Sequence, residues 1–462
     1  MYSSERTGFS RVATVRHPCT LPSRVVVAAV LKIKHSTGSL VIKSLHLRGI
    51  RAHVDSTVRF DDGINVIVGS NGAGKTNILE AVHILCLSRS FLTSRDQYVL
   101  RKGSPFYEVE GEFESEVRSA IKVRAAFVPQ EGKKVFVGGV QVERMADLVG
   151  QFPIVVFSPE DQQLTAEGPE HRRRFLDNII SQSSSLHLEN LIRYRKVLKQ
   201  RNELLLSARR SRRQPDPMLL ESWSRELLET GSAIITDRVQ FISKFGDHLE
   251  NAHQKISAVA ERPTLTYSPF PDETATTDNV LDLFGAQMQR RQDQEVERGV
   301  TLVGPHRHDV YMALDELPVR RYASQGQHRT FGMAMKLAQY DYLKEQTPEA
   351  PILLLDDVFD NLDPARIEAF LEILGSESIG QSITTAARQE IVHNHLDPST
   401  CRTIYVHPGA RVSDSGDRAT DLDSIIDEVQ ESVIETDAVT REEEKLQSKE
   451  PSGVPEVEAQ DV

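Results

Sequence analysis

The sequence predicts an α/β fold of the P-loop type, with one head assembled from two distant stretches of chain and a mainly helical arm inserted between them. Three observations carry this. A buried-strand pattern at 64–68 runs into a glycine-rich loop and then a helical pattern at 76–87. A second apolar strand, 351–355, ends in two carboxylates, Asp356 and Asp357. Between them, 171–206 and 218–259 carry helical periodicity, split at 207–217 by four arginines and two prolines.

In chain order, Val41, Leu45 and Leu47 alternate with polar neighbours, and a turn at Asp61-Asp62-Gly63 precedes the strand Ile64–Val68. Residues 106–145 alternate again around Gly138-Gly139, which predicts an antiparallel meander, and Ile154–Phe157 is a further strand. Leu186, Leu191 and Val197, then Leu219, Trp223, Leu227 and Ile234, give the arm its apolar stripes, so two long helices fold back antiparallel across the hinge. The stretch 262–298 has no clear period. Strand character is expected at 299–313, a helix at 325–345 and another at 364–374. The domains are therefore 40–180 and 299–411 for the two halves of the head and 181–298 for the arm, flanked by extensions 1–39 and 412–462.

Gly69-Ser70-Asn71-Gly72-Ala73-Gly74-Lys75-Thr76, followed by Asn77, fits the phosphate-binding pattern G-x-x-x-x-G-K-[ST]. Its glycines let backbone N–H groups turn inward around phosphates, Lys75 reaches the β/γ-phosphates, and Thr76 offers a hydroxyl to Mg²⁺. ATP and Mg²⁺ are thus the expected cofactors. An apolar strand sits centrally in a parallel sheet, so Asp356 and Asp357 emerge at its carboxyl end beside the loop. Asp356 would hold the Mg²⁺ shell and Asp357 would orient or deprotonate the attacking water. Lys75 and Asp356 lie 281 positions apart, so a large insertion separates the halves, and no Asn-Lys-x-Asp guanine-reading motif occurs.

The formal charge of -12 is misleading until it is located. Residues 413–462 hold 16 acids and 4 bases, which leaves 51 of each in 1–412. A neutral body can carry a basic face, so nucleic acid is not excluded. The tail is read either as a solubilising segment or as a DNA mimic competing for that face. Three widely spaced cysteines fit a reducing, cytoplasmic compartment. No apolar run reaches the roughly 20 residues of a membrane span. Residues 1–24 have a transit-peptide-like composition, against which stand a disordered extension or a start upstream of the true one.

Ser324-Gln325-Gly326-Gln327 opens a predicted helix, where a hydroxyl, N–H groups and the positive helix end can receive an anion. It resembles the signature motif of ATP-binding-cassette ATPases, which caps the γ-phosphate held by the other subunit of a dimer. The blocks Gly299–Asp309, Ala323–Thr330, Leu353–Val358, Phe157–Asp161, Arg172–Asp177 and Lys199–Asn202 then resemble, in order over about 40–410, the RecF family of bacterial recombination mediators. These are heads of the SMC-like cassette class, with a mixed sheet that has an antiparallel part.

That resemblance implies an ATP-dependent homodimer that binds double- and single-stranded DNA at gaps or junctions, near the nucleoid and away from membranes. It also implies cooperation with RecR and RecO, loading of RecA, and a weak, DNA-stimulated ATPase. It assigns Asn71, Gly72, Gly74, Lys75 and Thr76 to phosphate and Mg²⁺, Ser324, Gly326 and Gln327 to the trans cap, and Asp356 and Asp357 to metal and water. Arg51 matches an arginine that touches the nucleotide in related heads, Asn361-Leu362-Asp363 a loop crossing the dimer interface, and Gln162 completes the metal site. The chain departs from related heads in three places. Asp357 stands where many carry Glu, threonines (Thr384, Thr385) where a switch His is usual, and Leu92 where an Arg commonly follows Ser90-Phe91. The shorter Asp357 predicts slow turnover. Two other readings stand beside this one: the ATPase subunit of a transport system, and a nucleotide-dependent DNA scaffold that does not hydrolyse.

DNA contact would come from local basic surfaces. Arg193, Arg195, Lys196, Lys199 and Arg201 crowd one helix, and Arg209, Arg210, Arg212 and Arg213 crowd the hinge. His306 and His308 are read as hydrogen-bonded rather than as metal ligands, since no further His/Cys cluster accompanies them.

Overall fold

A computed structural model describes residues 38–257, 259–270, 273–359, 363–376, 378–387 and 401–414. The expectations for the N-terminal extension up to residue 37, for the tail from 415, and for Asn361-Leu362 lie outside these. The described helices are α1 (Lys75–Leu87), α2 (Gln162–Ala166), α3 (Pro169–Ser183), α4 (Ser185–Ser211), α5 (Pro217–Ile256), α6 (Val280–Arg298), α7 (Val319–Tyr322), α8 (Gln325–Gln346) and α9 (Pro364–Leu374).

Two six-stranded sheets build the head. One runs in the order Arg411–Asp414, Cys401–His407, Ile64–Val68, Ser382–Ala386, Ile352–Leu355, Ile154–Phe157 and is parallel except at its first pair. The other is the expected antiparallel meander: His53–Arg59, Val41–Ile50, Tyr107–Glu114, Ile121–Val128, Gly132–Val137, Val140–Gln141. Helix α1 lies between the sheets and is buried almost all round, which explains its near-continuous apolar sequence. Its residues Ile78, Leu79, Val82 and Leu85 join one core with Leu45, Leu47 and Val109 of the meander and Ile67 of the parallel sheet. Alternate residues of that same strand, Ile64, Val66 and Val68, face a second core with α3, α5, α8 and α9. The period of two along a strand thus divides the head into two cores.

The arm is α4 and α5 with α6 packed against both, closed by a core of Leu191, Tyr194, Leu227, Ile234, Phe270 and Phe284. One helical run expected from 171 is broken at Ser184, whose hydroxyl caps α4 by accepting the His187 N–H. The unpatterned stretch 262–298 forms a strand, Pro263–Tyr267, and α6. The strand pairs antiparallel with Val310–Leu314. Residues 299–309, expected as strand, are instead irregular backbone fixed by side chains. Arg172 of α3 grips Asp309 through two hydrogen bonds of 2.8 Å. Arg173 donates to the His308 carbonyl at 2.7 Å, and Arg238 of α5 donates to the Pro305 carbonyl at 2.8 Å. His306 and His308 receive the hydroxyls of Tyr194 and Tyr267 at their Nδ1 atoms. This block is the seam between head and arm.

Arg201, grouped by sequence with the basic surface of α4, is corrected by the structure. Its side chain is 2% exposed, and its guanidinium bonds Glu295 of α6 at 2.7 Å, Thr301 at 2.8 Å and Ser224 at 3.0 Å. It turns inward because helical periodicity puts it on the stripe of Leu191, Tyr194, Val197 and Leu205. Removing one member of a buried pair strands the other charge. Arg201→Leu should therefore cost about 3–5 kcal/mol in denaturant unfolding, and adding Glu295→Leu should restore most of it. An unchanged midpoint in the single variant would contradict this.

His187, fully buried, stands between Asp237 (Nδ1 to Oδ2, 2.7 Å) and Asp177 (Nε2 to Oδ1, 3.6 Å), and Asp177 is also held by Arg238. Burial alone would lower its pKa, but the hydrogen bonds and charges of the two carboxylates override it and hold it above the usual imidazole value. A raised folded-state pKa contributes stability that is complete below about 6.5 and lost as pH rises through the raised value. Wild type should lose stability over that interval, and His187→Gln should flatten this part of the curve in thermal melts taken across pH.

Candidate nucleotide-binding site

The loop after Ile64–Val68 folds as its sequence requires. A Cβ on Gly69 would lie 2.3 Å from the Val406 carbonyl oxygen, so no other residue fits against the neighbouring strand. Gly74 adopts φ 108°, and a Cβ there would meet the His53 ring. The His53 ring lies between the Gly74 carbonyl, 3.1 Å from Nε2, and the Ser56 hydroxyl, 2.9 Å from Nδ1, and that hydroxyl donates to the Ala410 carbonyl at 3.0 Å. Burial lowers its pKa and keeps the ring neutral. The Lys75 ammonium closes the loop, donating to the carbonyls of Gly69 (3.0 Å) and Ser70 (3.3 Å). Ser70, Asn71 and Gly72 stay exposed, Ala73 is buried, and the Asn77 N–H bonds the Gly74 carbonyl.

The two acids reach this loop across an intervening strand. Ser382–Ala386 lies between Ile64–Val68 and Ile352–Leu355, so Asp356 is one strand removed from the loop. All three strands run parallel, and their carboxyl ends therefore converge. The Thr76 hydroxyl donates to Asp356 Oδ1 at 2.8 Å. Thr385 Oγ stands 3.0 Å from the same oxygen and 3.2 Å from Asp357 Oδ1, and accepts the Asp357 N–H at 2.9 Å. Burial raises the pKa of Asp356, with the Asp357 charge adding to it and Thr76 and Thr385 opposing. Such a carboxylate gains from a cation, and the hydroxyl and carboxylate oxygens of Thr76 and Asp356 form the hard donor set that Mg²⁺ prefers. Asp357 holds φ 46°, a left-handed conformation costing a non-glycine residue about 1–3 kcal/mol.

Arg51, at φ 49°, spends Nε and Nη2 on the fully buried Glu80 of α1, both at 2.8 Å. Ser90 bonds the same carboxylate, so the arginine is anchored to the helix that follows the loop. Gln162 begins α2 on the surface and lines a small pocket with Asp357, His328 and Arg329. The turn before it is fixed by Lys336 of α8, whose ammonium lies 2.9 Å from Asp161 and donates to the Val156 carbonyl at 2.7 Å. Ser324 is the N-cap of α8 in a reciprocal capping box. Its hydroxyl accepts the Gln327 N–H at 3.2 Å, and the Gln327 side chain accepts the Ser324 N–H at 2.7 Å. Gln327 also donates to Glu261 beyond α5, and Arg366 lies over Gly326.

The structure thus joins Thr76 at the end of the loop directly to Asp356, and Asp357 to that carboxylate through Thr385, and it leaves Ser324 exposed, without a hydrogen bond to residues 69–76. His53, Glu80 and Lys336 were not singled out from the sequence. Glu80 and Lys336 did carry a signal, each being a lone charge inside an apolar helical run. Of the basic candidates, Arg193 is paired with Glu226 at 2.8 Å and Arg209 donates to the Arg298 carbonyl, whereas Lys196, Arg210, Arg212 and Arg213 are exposed.

Comparison with known proteins agrees with this geometry. Residues 41–409 match the family described as RecF/RecN/SMC N terminal domain. The DNA replication and repair protein RecF of Salinibacter ruber is 48% identical over 374 residues, covering 80% of this chain and 91% of that protein. That of Chloroherpeton thalassium is 40% identical over 351 residues, covering 75% and 95%. Two solved structures of the recombination mediator protein RecF in the RecFOR pathway, described as RecF-ATPrS and RecF-ATP, superpose with TM-score 0.75 at 28% identity. They cover 82% of this chain and 100% and 99% of theirs. An Smc head domain from Pyrococcus furiosus, 16% identical with TM-score 0.50 over 84% of this chain and 99% of its own, shares the fold. The chain belongs to the RecF family of SMC-like ATPase heads.

Proposed function

We propose that this protein is an ATP-dependent DNA-binding recombination and repair factor, in which ATP joins two heads into a DNA clamp and slow hydrolysis releases it. What supports the reading is the pairing of two features: a phosphate loop wired to Asp356 and Asp357 through Thr76 and Thr385, and a signature helix whose N-terminus is solvent-exposed. The β- and γ-phosphates would replace the Gly69 and Ser70 carbonyls as partners of Lys75. Thr76 and Asp356, with Gln162 from the neighbouring turn, would hold Mg²⁺, which neutralises phosphate charge. Asp357, tethered by Thr385, would orient the attacking water. Ser324, Gly326 and the amides of α8 would cap the γ-phosphate held by a second copy, so ATP touches both halves of its site only in the closed dimer.

Exposed arginines of the hinge would neutralise DNA phosphates at gaps or junctions of single- and double-stranded DNA. The family relationship supports RecR, RecO and RecA as companions and a cytoplasmic, nucleoid-associated location. Among the described residues no helix is long and apolar enough to cross a membrane.

In sedimentation, wild type should associate with ATP and not with ADP, and Ser324→Arg should abolish association while leaving ATP binding intact. Phosphate release, slow in wild type, should vanish in Lys75→Met. A monomer under all nucleotide conditions would sink the clamp, and release that survives Lys75→Met would sink the assigned site. Replacing Arg209, Arg210, Arg212 and Arg213 by Gln should lower duplex affinity and reduce the salt slope by about 0.9 for each phosphate no longer neutralised. An unchanged slope would remove the hinge from the DNA surface.

A further inference from the structure

A cleft of about 440 Å³ opens between head and arm, away from the nucleotide loop and from the hinge. Its walls are the loop after α1, one face of α3 and the start of α4. Five arginines and two acids line it, an excess of three positive charges. The acids are already committed. Asp177 is held by Arg238 through two hydrogen bonds of 3.0 Å, and Glu170 pairs with Arg174 one helical turn away at 2.9 Å. Among the described residues Arg173 has only the His308 carbonyl as a hydrogen-bond acceptor.

Arg89, from the head, and Arg195, from the arm, have no carboxylate within salt-bridge distance among the described residues. Among the described residues Arg89 has a single acceptor, Asn178 Oδ1, at 2.6 Å, and that amide also faces the cleft. Concentrating like charges in a concave, partly desolvated space is unfavourable unless an anion offsets it.

The floor is largely apolar, made by Leu191, Leu198 and Ile234 together with the ring of Tyr194, whose hydroxyl is occupied by His306 of the same lining. Arginine forks match phosphate oxygens, and an apolar floor beside them suits the sugar and base that such phosphates carry. The volume lies in the range of small-ligand pockets and is far too small for a double helix.

We propose that this cleft is a second phosphate-binding site, in which Arg89 and Arg195 grip adjacent phosphates and so tie the head to the arm. The phosphates belong either to a single nucleic-acid strand or strand end, or to a free polyphosphate or nucleotide. Because Arg89 is one residue before Ser90, which bonds Glu80 and through it Arg51, an anion here bears on the helix that follows the phosphate loop.

The test uses the full chain carrying Arg89→Gln and Arg195→Gln. Both residues are exposed and removing their charges relieves repulsion, so the melting temperature should not fall; a drop would show them to be structural and overturn the site. For a strand, a fluorescein-labelled oligothymidylate should bind roughly tenfold more weakly at low salt. The salt slope should fall by about 1.4, the value for two single-strand phosphates, with ATP affinity unchanged. For a free polyphosphate, inorganic tripolyphosphate should raise the melting temperature of a Lys75→Met chain, whose P-loop is disabled. That rise should disappear when the two glutamines are added, with oligothymidylate binding unaltered. If neither probe distinguishes the double variant from its parent, the cleft is not a phosphate site.

Discussion

The hydrogen bond from Thr76 to Asp356 joins residues 280 positions apart, and the rest of the head is arranged so that it can form. A hydroxyl and a carboxylate meet at 2.8 Å only if two parallel strands end at the same level with the strand bearing Thr385 between them. The carboxylate is buried, so it must be satisfied locally. Thr76 and Thr385 do this without a fixed positive charge, which keeps the site open to a cation. The left-handed turn at Asp357 is the local strain accepted to aim a second carboxylate at the same place.

Placing those strands side by side requires the chain to leave the head after Ile154–Phe157, build the arm and return. The arm is therefore an excursion between neighbours of one sheet, and its seam must be rigid for the halves to register. Residues 299–309 make it so with arginine–carboxylate and tyrosine–histidine contacts rather than with regular backbone. This accounts for a block dense in His, Arg and Asp without assigning it chemistry of its own. Helix α8 extends the same logic. It packs along α5 of the arm, carries Lys336 to the turn before Gln162, and presents Ser324 at its N-terminus. One rigid helix thus spans the distance from the arm to the signature motif.

Much of this was legible in residue order. The phosphate loop, the acidic strand, the meander and the capping residue Ser324 are local patterns, because glycine placement, alternation and N-cap chemistry act over a few residues. Periodicity also held for α5 and α9, whose observed limits fall within a few residues of those expected. It failed where side chains rather than backbone do the organising: at 299–309, at the break between α3 and α4, and in 262–298. Arg201 shows the limit most clearly. Composition groups it with surface arginines, and only its phase on α4, against a partner on α6, takes it inside.

The sequence by itself determined the class of fold, the phosphate loop and the two acids, since each depends on covalent neighbours and short-range periodicity. The tertiary structure alone decided which strand separates loop from acids, that Thr385 couples them, that Arg51 is anchored by Glu80, and that arginines from head and arm share one cleft. These are meetings of residues tens to hundreds of positions apart. They are set by strand order and by the burial of charges that must find a partner, and neither is written in any local run of residues.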